Sequence, residues 1–318
     1  MQNIIENILY SANTILPVFL ILFLGYFLRY KNIINDEFIS TSSTLVYKVA
    51  LPVFLFLKLS VTDFGTTFYP AEVVFILSGI LVSFVIIWSI ARLFIKDKNN
   101  LGIFVQGSFR SNFAIVGLAI IFNVFGEPGL AKGSVVLAFI VGALNVLSLI
   151  VLESTLRPQT KINYFQIFLN LLKVPMIIAV LVSLPFSFLK ITLPETLIKT
   201  GNYLASLTLP LALLGIGASL NFSQMKKASR LAFTAASIKI VIVPLVLTYV
   251  AWLFGFRGET LGIIFIFFAC PTAIVSFIMA KALGGNEKLA GNIIVLSTLG
   301  SVVTISLGIF LLKYLSLI

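Results

Sequence analysis

The chain has 318 residues, of which 59% are hydrophobic and only 10% charged, with a mean hydropathy of +1.12. Soluble domains carry about 25% charged residues, so this composition excludes a soluble globular protein and points to an integral membrane one. The net charge of +11 is placed between the hydrophobic runs, where it serves loop topology and contact with anionic lipid rather than the basic domain that nucleic-acid binding needs.

The start, MQNIIENILY, holds Glu6 and no basic residue, unlike a cleavable signal peptide, so the first run is expected to be a retained span. The hydrophobic runs are about 20 residues long, the helix length that crosses about 30 Å of hydrocarbon. Strands of a membrane barrel would alternate over about 10 residues. Ten spans are expected, at 8–28, 38–57, 70–94, 101–125, 133–155, 165–189, 200–220, 230–254, 260–283 and 290–315. The expected fold is therefore all-α and integral to the membrane, a single membrane domain over 1–318. Loops after odd-numbered spans hold twelve Lys and Arg against six on the other side. Those loops are expected to be cytoplasmic, with both termini extracytoplasmic in the cell membrane.

The two halves, 8–155 and 165–315, resemble each other at an offset of 158–160 residues. Leu51-Pro52-Val53-Phe54-Leu55 pairs with Leu209-Pro210-Leu211-Ala212-Leu213, and Leu93-Phe94 with Leu253-Phe254. Ser111-Asn112-Phe113 falls on Cys270-Pro271-Thr272, and Asn145 on Thr304. Five spans per half is an odd number, so the second half enters the membrane upside down. Inverted repeats of this kind mark secondary transporters.

Spans four and nine correspond and are both interrupted. Span four contains GSFRSNFAIVGLAI (107–120), with Ser108, Arg110, Ser111, Asn112 and two glycines. Span nine contains ACPTAIVS (269–276), where Pro271 lacks an amide hydrogen and frees a carbonyl one turn back. Backbone freed inside a bilayer must be satisfied by protein, water or ligand. Two helices broken at matching depth can cross at their breaks, and the half-helix N-termini then present amides suited to an anion.

Asn112 can donate and accept, so it suits either a carboxylate or the partner helix. Thr272 and Ser276, four apart, are expected on one face after Pro271. Arg110 lies two residues before Asn112, about 200° around a continuous helix. It either neutralises an anion directly or bonds to freed carbonyls of the break. Asn145 and Thr304 are expected as neighbours of the crossing. Pro52 and Pro210 are repeat-related kinks, read as hinges or as packing features. Lys48 and Lys239 are the other deep cations; lysines near span ends usually snorkel.

Absences narrow the chemistry. There is no histidine, and a single cysteine, Cys270, leaves no disulfide or metal cluster. No carboxylate lies near either break, whereas crossed-helix cation antiporters rely on buried carboxylates. Basic deep charges favour an anionic substrate. No HExxH or paired-carboxylate arrangement supports an enzyme.

These residues resemble the auxin efflux carrier family of membrane transporters in its short bacterial form. The resemblance spans nearly the whole chain and rests on PVFLILFLGYFLRYKNII (17–34), LVYKVALPVFLF (45–56), GSFRSNFAIVGLAI (107–120), LPLALLGIGASL (209–220) and CPTAIVSFIMAKALGGN (270–286). It implies ten helices in two inverted five-helix repeats, akin to bile-acid sodium symporters and sodium/proton antiporters, with discontinuous helices four and nine crossing. It implies organic anions as substrates: malonate, malate and related carboxylates for bacterial members, auxin for plant ones. By analogy, spans one, two, six and seven form a scaffold and homodimer contact, while the other bundle carries the site and moves. The plant-type Asn-Pro pair of span four is Asn112-Phe113 here, and the residue before Pro271 is Cys270 rather than Asn, which puts auxin itself in doubt.

The resulting expectation is a secondary carrier of a small organic anion, a mono- or dicarboxylate, moved by alternating access around the crossing. The expected site comprises Arg110, Ser111, Asn112, Phe113, Asn145, Pro271, Thr272, Ser276 and Thr304. No cofactor is expected beyond a coupling ion, sodium or proton, with sodium near Asn112 and Thr272. The alternatives are a sodium-coupled symporter of an amphipathic or steroid-like acid, and a membrane sensor or scaffold that does not transport.

Overall fold

A computed structural model describes residues 2–157, 165, 169, 172–220 and 229–318; among these the chain is helical, with no strand. Apart from a single helical turn at Phe64–Thr67, the helices are α1 (Gln2–Tyr30), α2 (Asp36–Ser60), α3 (Pro70–Phe94), α4 (Lys98–Phe109), α5 (Phe113–Leu156), α6 (Pro175–Phe188), α7 (Glu195–Ser219), α8 (Arg230–Leu253), α9 (Gly258–Ala269), α10 (Val275–Ala282) and α11 (Glu287–Tyr314). Seven of them, α1, α2, α3, α5, α7, α8 and α11, are long and apolar enough to cross a membrane. Most of the expected start of span six, and loop residues Lys161, Lys226 and Lys227, lie outside the described residues.

The local chemistry sets the ends. Asn35, Asp97, Ser229 and Asn286 cap α2, α4, α8 and α11 by accepting a backbone amide with their side chains. Pro70 and Pro175 open α3 and α6, where a missing amide hydrogen costs nothing. The Leu118–Leu156 segment has 39 residues, about 58 Å of continuous helix, twice the hydrocarbon thickness. Gly126 (φ 67°, ψ −155°) breaks it, a conformation a side chain would resist. The chain turns there into a 113–125 arm and a 127–156 arm.

Prolines shape three other helices. In α2 the amide of Leu51, just before Pro52, reaches back to Val46 O, five residues away, and Val46–Ala50 forms a π turn. In α8 the amide of Val243, just before Pro244, reaches Ile238 O in the same way. Neither proline can donate, and the widened turn accommodates the ring. In α7 a one-residue interruption at Leu207 precedes Pro210.

The arrangement is inside-out relative to a soluble protein. The peripheral helices expose apolar side chains, such as Leu81, Val85 and Ile86 on α3 and Leu245, Val246 and Tyr249 on α8. Two of the short helices, α4 and α9, are the enclosed ones: every residue from Leu101 to Phe109 and from Leu261 to Ala269 is buried. At 12 residues each, α4 and α9 reach about 18 Å, little more than half the bilayer core. Elsewhere α1 packs on the second half of α7 so closely that a Cβ on Gly25 or Gly217 would strike the backbone of Leu214 or Leu22.

Candidate substrate-binding site

The two buried half-length helices end at non-helical linkers that lie side by side. After α4, Arg110 is extended (φ −75°, ψ 110°), Asn112 has φ −88°, ψ 46°, and a π turn, Phe113–Gly117, resumes the helix. After α9, Cys270 is extended (φ −55°, ψ 145°), as a residue before proline must be. The linkers pair antiparallel through a Ser111–Thr272 bridge. Asn112 N donates to Pro271 O (2.8 Å) and Ala273 N to Arg110 O (3.2 Å).

Side chains then cap the buried helix ends. Ser111 Oγ donates to Phe267 O (2.7 Å) in the last turn of α9, and Thr272 Oγ1 donates to Gly107 O (2.6 Å) in the last turn of α4. Each linker thus supplies a hydroxyl to the other's helix. Carbonyls of a last turn have no intrahelical donor, so these bonds satisfy groups that lipid cannot. Lys239, 1% exposed and carried by the π turn of α8, donates to Phe268 O (2.5 Å). A cation there also complements the negative end of the α9 dipole. Ser297 of α11 accepts from Thr272 N (3.1 Å).

Arg110 does not bond to the freed carbonyls of the break. Its guanidinium reaches the 127–156 arm, donating to Asn145 Oδ1 (2.6 Å), Ser148 Oγ (2.6 Å) and Leu144 O (3.2 Å), and touches Met279 Sδ of α10 (3.3 Å). Every one of these partners is neutral. Neither Arg110 nor Lys239 forms an ion pair among the described residues. The buried carboxylate Glu72 pairs instead with Lys132 (3.5 Å).

The sequence-derived residues therefore separate into groups. Arg110, Ser111, Asn112, Pro271 and Thr272 meet at the linkers, with Asn145 against Arg110. Phe113 is 0% exposed, its ring packed edge-on to Phe267 at 5.1 Å, and offers no face to a ligand. Thr272 and Ser276 do not share a helical face, because Thr272 lies in the extended linker and α10 begins only at Val275. Ser276 Oγ is buried without a hydrogen-bond partner. The Asn112 amide takes no hydrogen bond among the described residues. Thr304 is not brought to the linkers; it lines a groove of about 690 Å³ between α8 and α11, with Thr248 and Tyr249. Lys48 is exposed. Pro52 and Pro210 lie at the helix irregularities described above.

Three contributors had no distinct signal in the sequence. Gln106, one turn before Arg110, donates to Met279 Sδ (3.6 Å) and leaves its Oε1 buried and unpartnered. Ser148 and Ser297 each also donate to a carbonyl of their own helix, the usual behaviour of a serine inside a span. The larger grooves, about 780 Å³ between α3 and α8 and the one at Thr304, are lined mainly by apolar residues of the lipid-facing helices.

Apolar peripheral helices around a buried pair of interrupted ones, with unpaired polar groups at the interruption, define a multi-pass membrane protein of the transporter class. The comparisons agree. The membrane transport protein family model matches residues 10–161 and 153–309, and the chain belongs to that family, which is the auxin efflux carrier family. It is a family of transporters rather than of enzymes. The chain is similar to an uncharacterized transporter of Methanocaldococcus jannaschii, at 23% identity over 93% of this chain and 96% of that one. It is also similar to an uncharacterized transporter of Methanothermobacter thermautotrophicus, at 22% identity over 93% and 97%.

Proposed function

We propose that the protein is a secondary carrier of a small organic anion, working by alternating access around the paired linkers. The observation that carries this reading is Arg110: a buried cation whose partners are all neutral, with no carboxylate paired to it among the described residues. An uncompensated buried charge is costly, and an anionic substrate supplies what the protein omits. Asn112 and Ser276 offer the free polar atoms for it, and Asn145 holds the guanidinium. Ser111, Pro271, Thr272 and Phe113 keep the linkers in place.

On this reading the linkers are the crossing of spans four and nine in a ten-span inverted repeat. Support comes from the helix ends Phe109 and Ala269 and from the capped carbonyls Gly107 and Phe267, both pairs 160 residues apart. That spacing aligns Asn112 with Thr272, one position from the match expected by sequence. The molecule works as a homodimer in the cell membrane with both termini outside, coupled to a proton or sodium. The carbonyls of Gly107, Arg110, Phe267, Phe268 and Pro271 already accept hydrogen bonds. This favours an anion over a sodium ion at the linkers.

The test is uptake of labelled mono- and dicarboxylates into proteoliposomes. The wild type is expected to accumulate at least one of them, Arg110→Lys to retain part of the rate, and Arg110→Gln to lose it while remaining monodisperse. Unchanged uptake by folded Arg110→Gln would remove the residue from the site.

A further inference from the structure

Two donors of the site converge on an unusual acceptor. Met279 of α10 has its Sδ at 3.3 Å from Arg110 Nη1 and at 3.6 Å from Gln106 Nε2. Gln106 and Arg110 lie one turn apart, and the Arg110 amide still closes the last turn of α4 on Gln106 O (3.0 Å). Their side chains therefore leave the same face of α4 and meet at one sulfur. A thioether is a weak acceptor. A buried guanidinium and a buried amide are thus turned toward a poor partner for either.

The surrounding contacts identify the sulfur as the partner that can be given up. Arg110 Nη1 has two hydrogens but three acceptors: Ser148 Oγ at 2.6 Å, Leu144 O at 3.2 Å and the sulfur at 3.3 Å. The oxygen bonds hold the cation on the 127–156 arm, and the sulfur contact is the longest and weakest. Gln106 is 0% exposed, and its Oε1 is buried without a partner. Ser276, three residues before Met279 and on the same face of α10, also keeps a buried, unpartnered hydroxyl. A methionine side chain is unbranched and adaptable, so it can leave such a place without a change in the backbone. A carboxylate oxygen is the acceptor these donors lack, and hydrogen bonds to a charged acceptor are about twice as strong as neutral ones.

We propose that Met279 is a displaceable plug of an oxyanion subsite, its sulfur holding the place between Arg110 and Gln106 that a substrate oxygen takes on binding. The inference rests on the carrier reading and adds to it a residue that sets affinity, Met279, and a second donor, Gln106. Binding exchanges a weak contact for a strong one. A better acceptor at position 279 competes with the anion, and a side chain without an acceptor does not.

Met279→Leu and Met279→Gln test this with side chains of similar size and opposite acceptor strength. Proteoliposome uptake of labelled acetate, malonate, succinate and octanoate is measured, with KM and maximal rate determined for those that the wild type accumulates. Met279→Leu should lower KM about three-fold or more and Met279→Gln should raise it about three-fold or more, both proteins remaining monodisperse. Gln106→Leu should raise KM and shrink the difference between the two Met279 variants, because one donor is then missing for plug and substrate alike. The inference is overturned if the Met279 variants shift KM in the same direction or leave it unchanged, or if Gln106→Leu leaves their difference intact. Where a Met279 variant fails to fold, Gln106→Leu alone decides, and an unchanged KM overturns the inference. Absence of wild-type uptake removes the carrier reading and the plug with it, whereas wild-type uptake without the opposed shifts removes the plug alone.

Discussion

The two linkers do the same job by different means. Span nine is broken by covalent structure: Pro271 cannot donate, and it forces Cys270 out of the helical region. Its helix end is then held by two side chains from elsewhere, Ser111 on Phe267 O and Lys239 on Phe268 O. Span four has no proline. Arg110, Ser111 and Asn112 are each able to continue a helix, and the break persists because Asn112 N and Arg110 O are taken by the other linker and the guanidinium is anchored on the 127–156 arm. One break is built in, and the other depends on its neighbours. The span-four break is therefore the one that its neighbours, and not its own covalent structure, maintain.

The largest expected effects fall where this dependence is cut. Phe113→Pro would copy the plant-type Asn-Pro pair and build a break into span four. It would also remove a ring that is 0% exposed and packed on Phe267. A loss of about 3–5 kcal/mol is expected, seen as a drop in thermal unfolding temperature in detergent. A stable Phe113→Pro would show that the break gains more from proline than the ring contributes. Arg110→Ala comes next. It leaves Asn145 Oδ1 without its donor and frees the arm from the linker, and about 2–4 kcal/mol is expected by the same measurement.

The hydroxyl caps give a smaller and more discriminating pair. Ser111→Ala and Thr272→Val each leave one buried carbonyl without a donor, at about 1–3 kcal/mol. Their structural consequences should differ. Without Thr272 on Gly107 O, nothing covalent prevents α4 from extending through Arg110, whereas α9 cannot extend past Pro271. Hydrogen exchange should therefore report altered protection at 107–113 in Thr272→Val and little change at 267–273 in Ser111→Ala. Equal responses would mean that the two breaks are equally imposed.

The same contrast explains what was legible in the sequence. Run length and hydropathy reveal the long apolar helices, seven of which reach crossing length, because a membrane helix must hide its own backbone and little else will do so. The break at Pro271 is legible because its cause is one residue. The break at Asn112 shows only as an excess of Ser, Asn and Gly, and the direction of Arg110 does not show at all. Two residues of separation place it opposite Asn112 on a helix, but the chain is not helical there. Ser148 and Ser297 carry no mark that separates them from serines bonded within their own helix. Thr304 illustrates a further limit: a repeat offset gives depth along a span but not rotation about its axis, and α11 turns that residue toward α8.

The smallest stability effect is expected at Asn112, and it sharpens the comparison most. Its backbone is engaged on both sides, through N to Pro271 O and through O from Val116 N, but its amide side chain is not. Asn112→Ala should keep the linker pairing and shift stability by no more than about 0.5 kcal/mol, the range of changes that break no contact. Uptake should nevertheless fall, because on the proposed reading the free amide is a contact for the anion. If uptake survives at wild-type level, Asn112 is only a linker residue, and the anion contacts must be sought at Arg110 and Ser276 alone. If stability falls by more than about 1 kcal/mol, the amide has a structural partner, and the span-four break is less open to a ligand than its contacts imply.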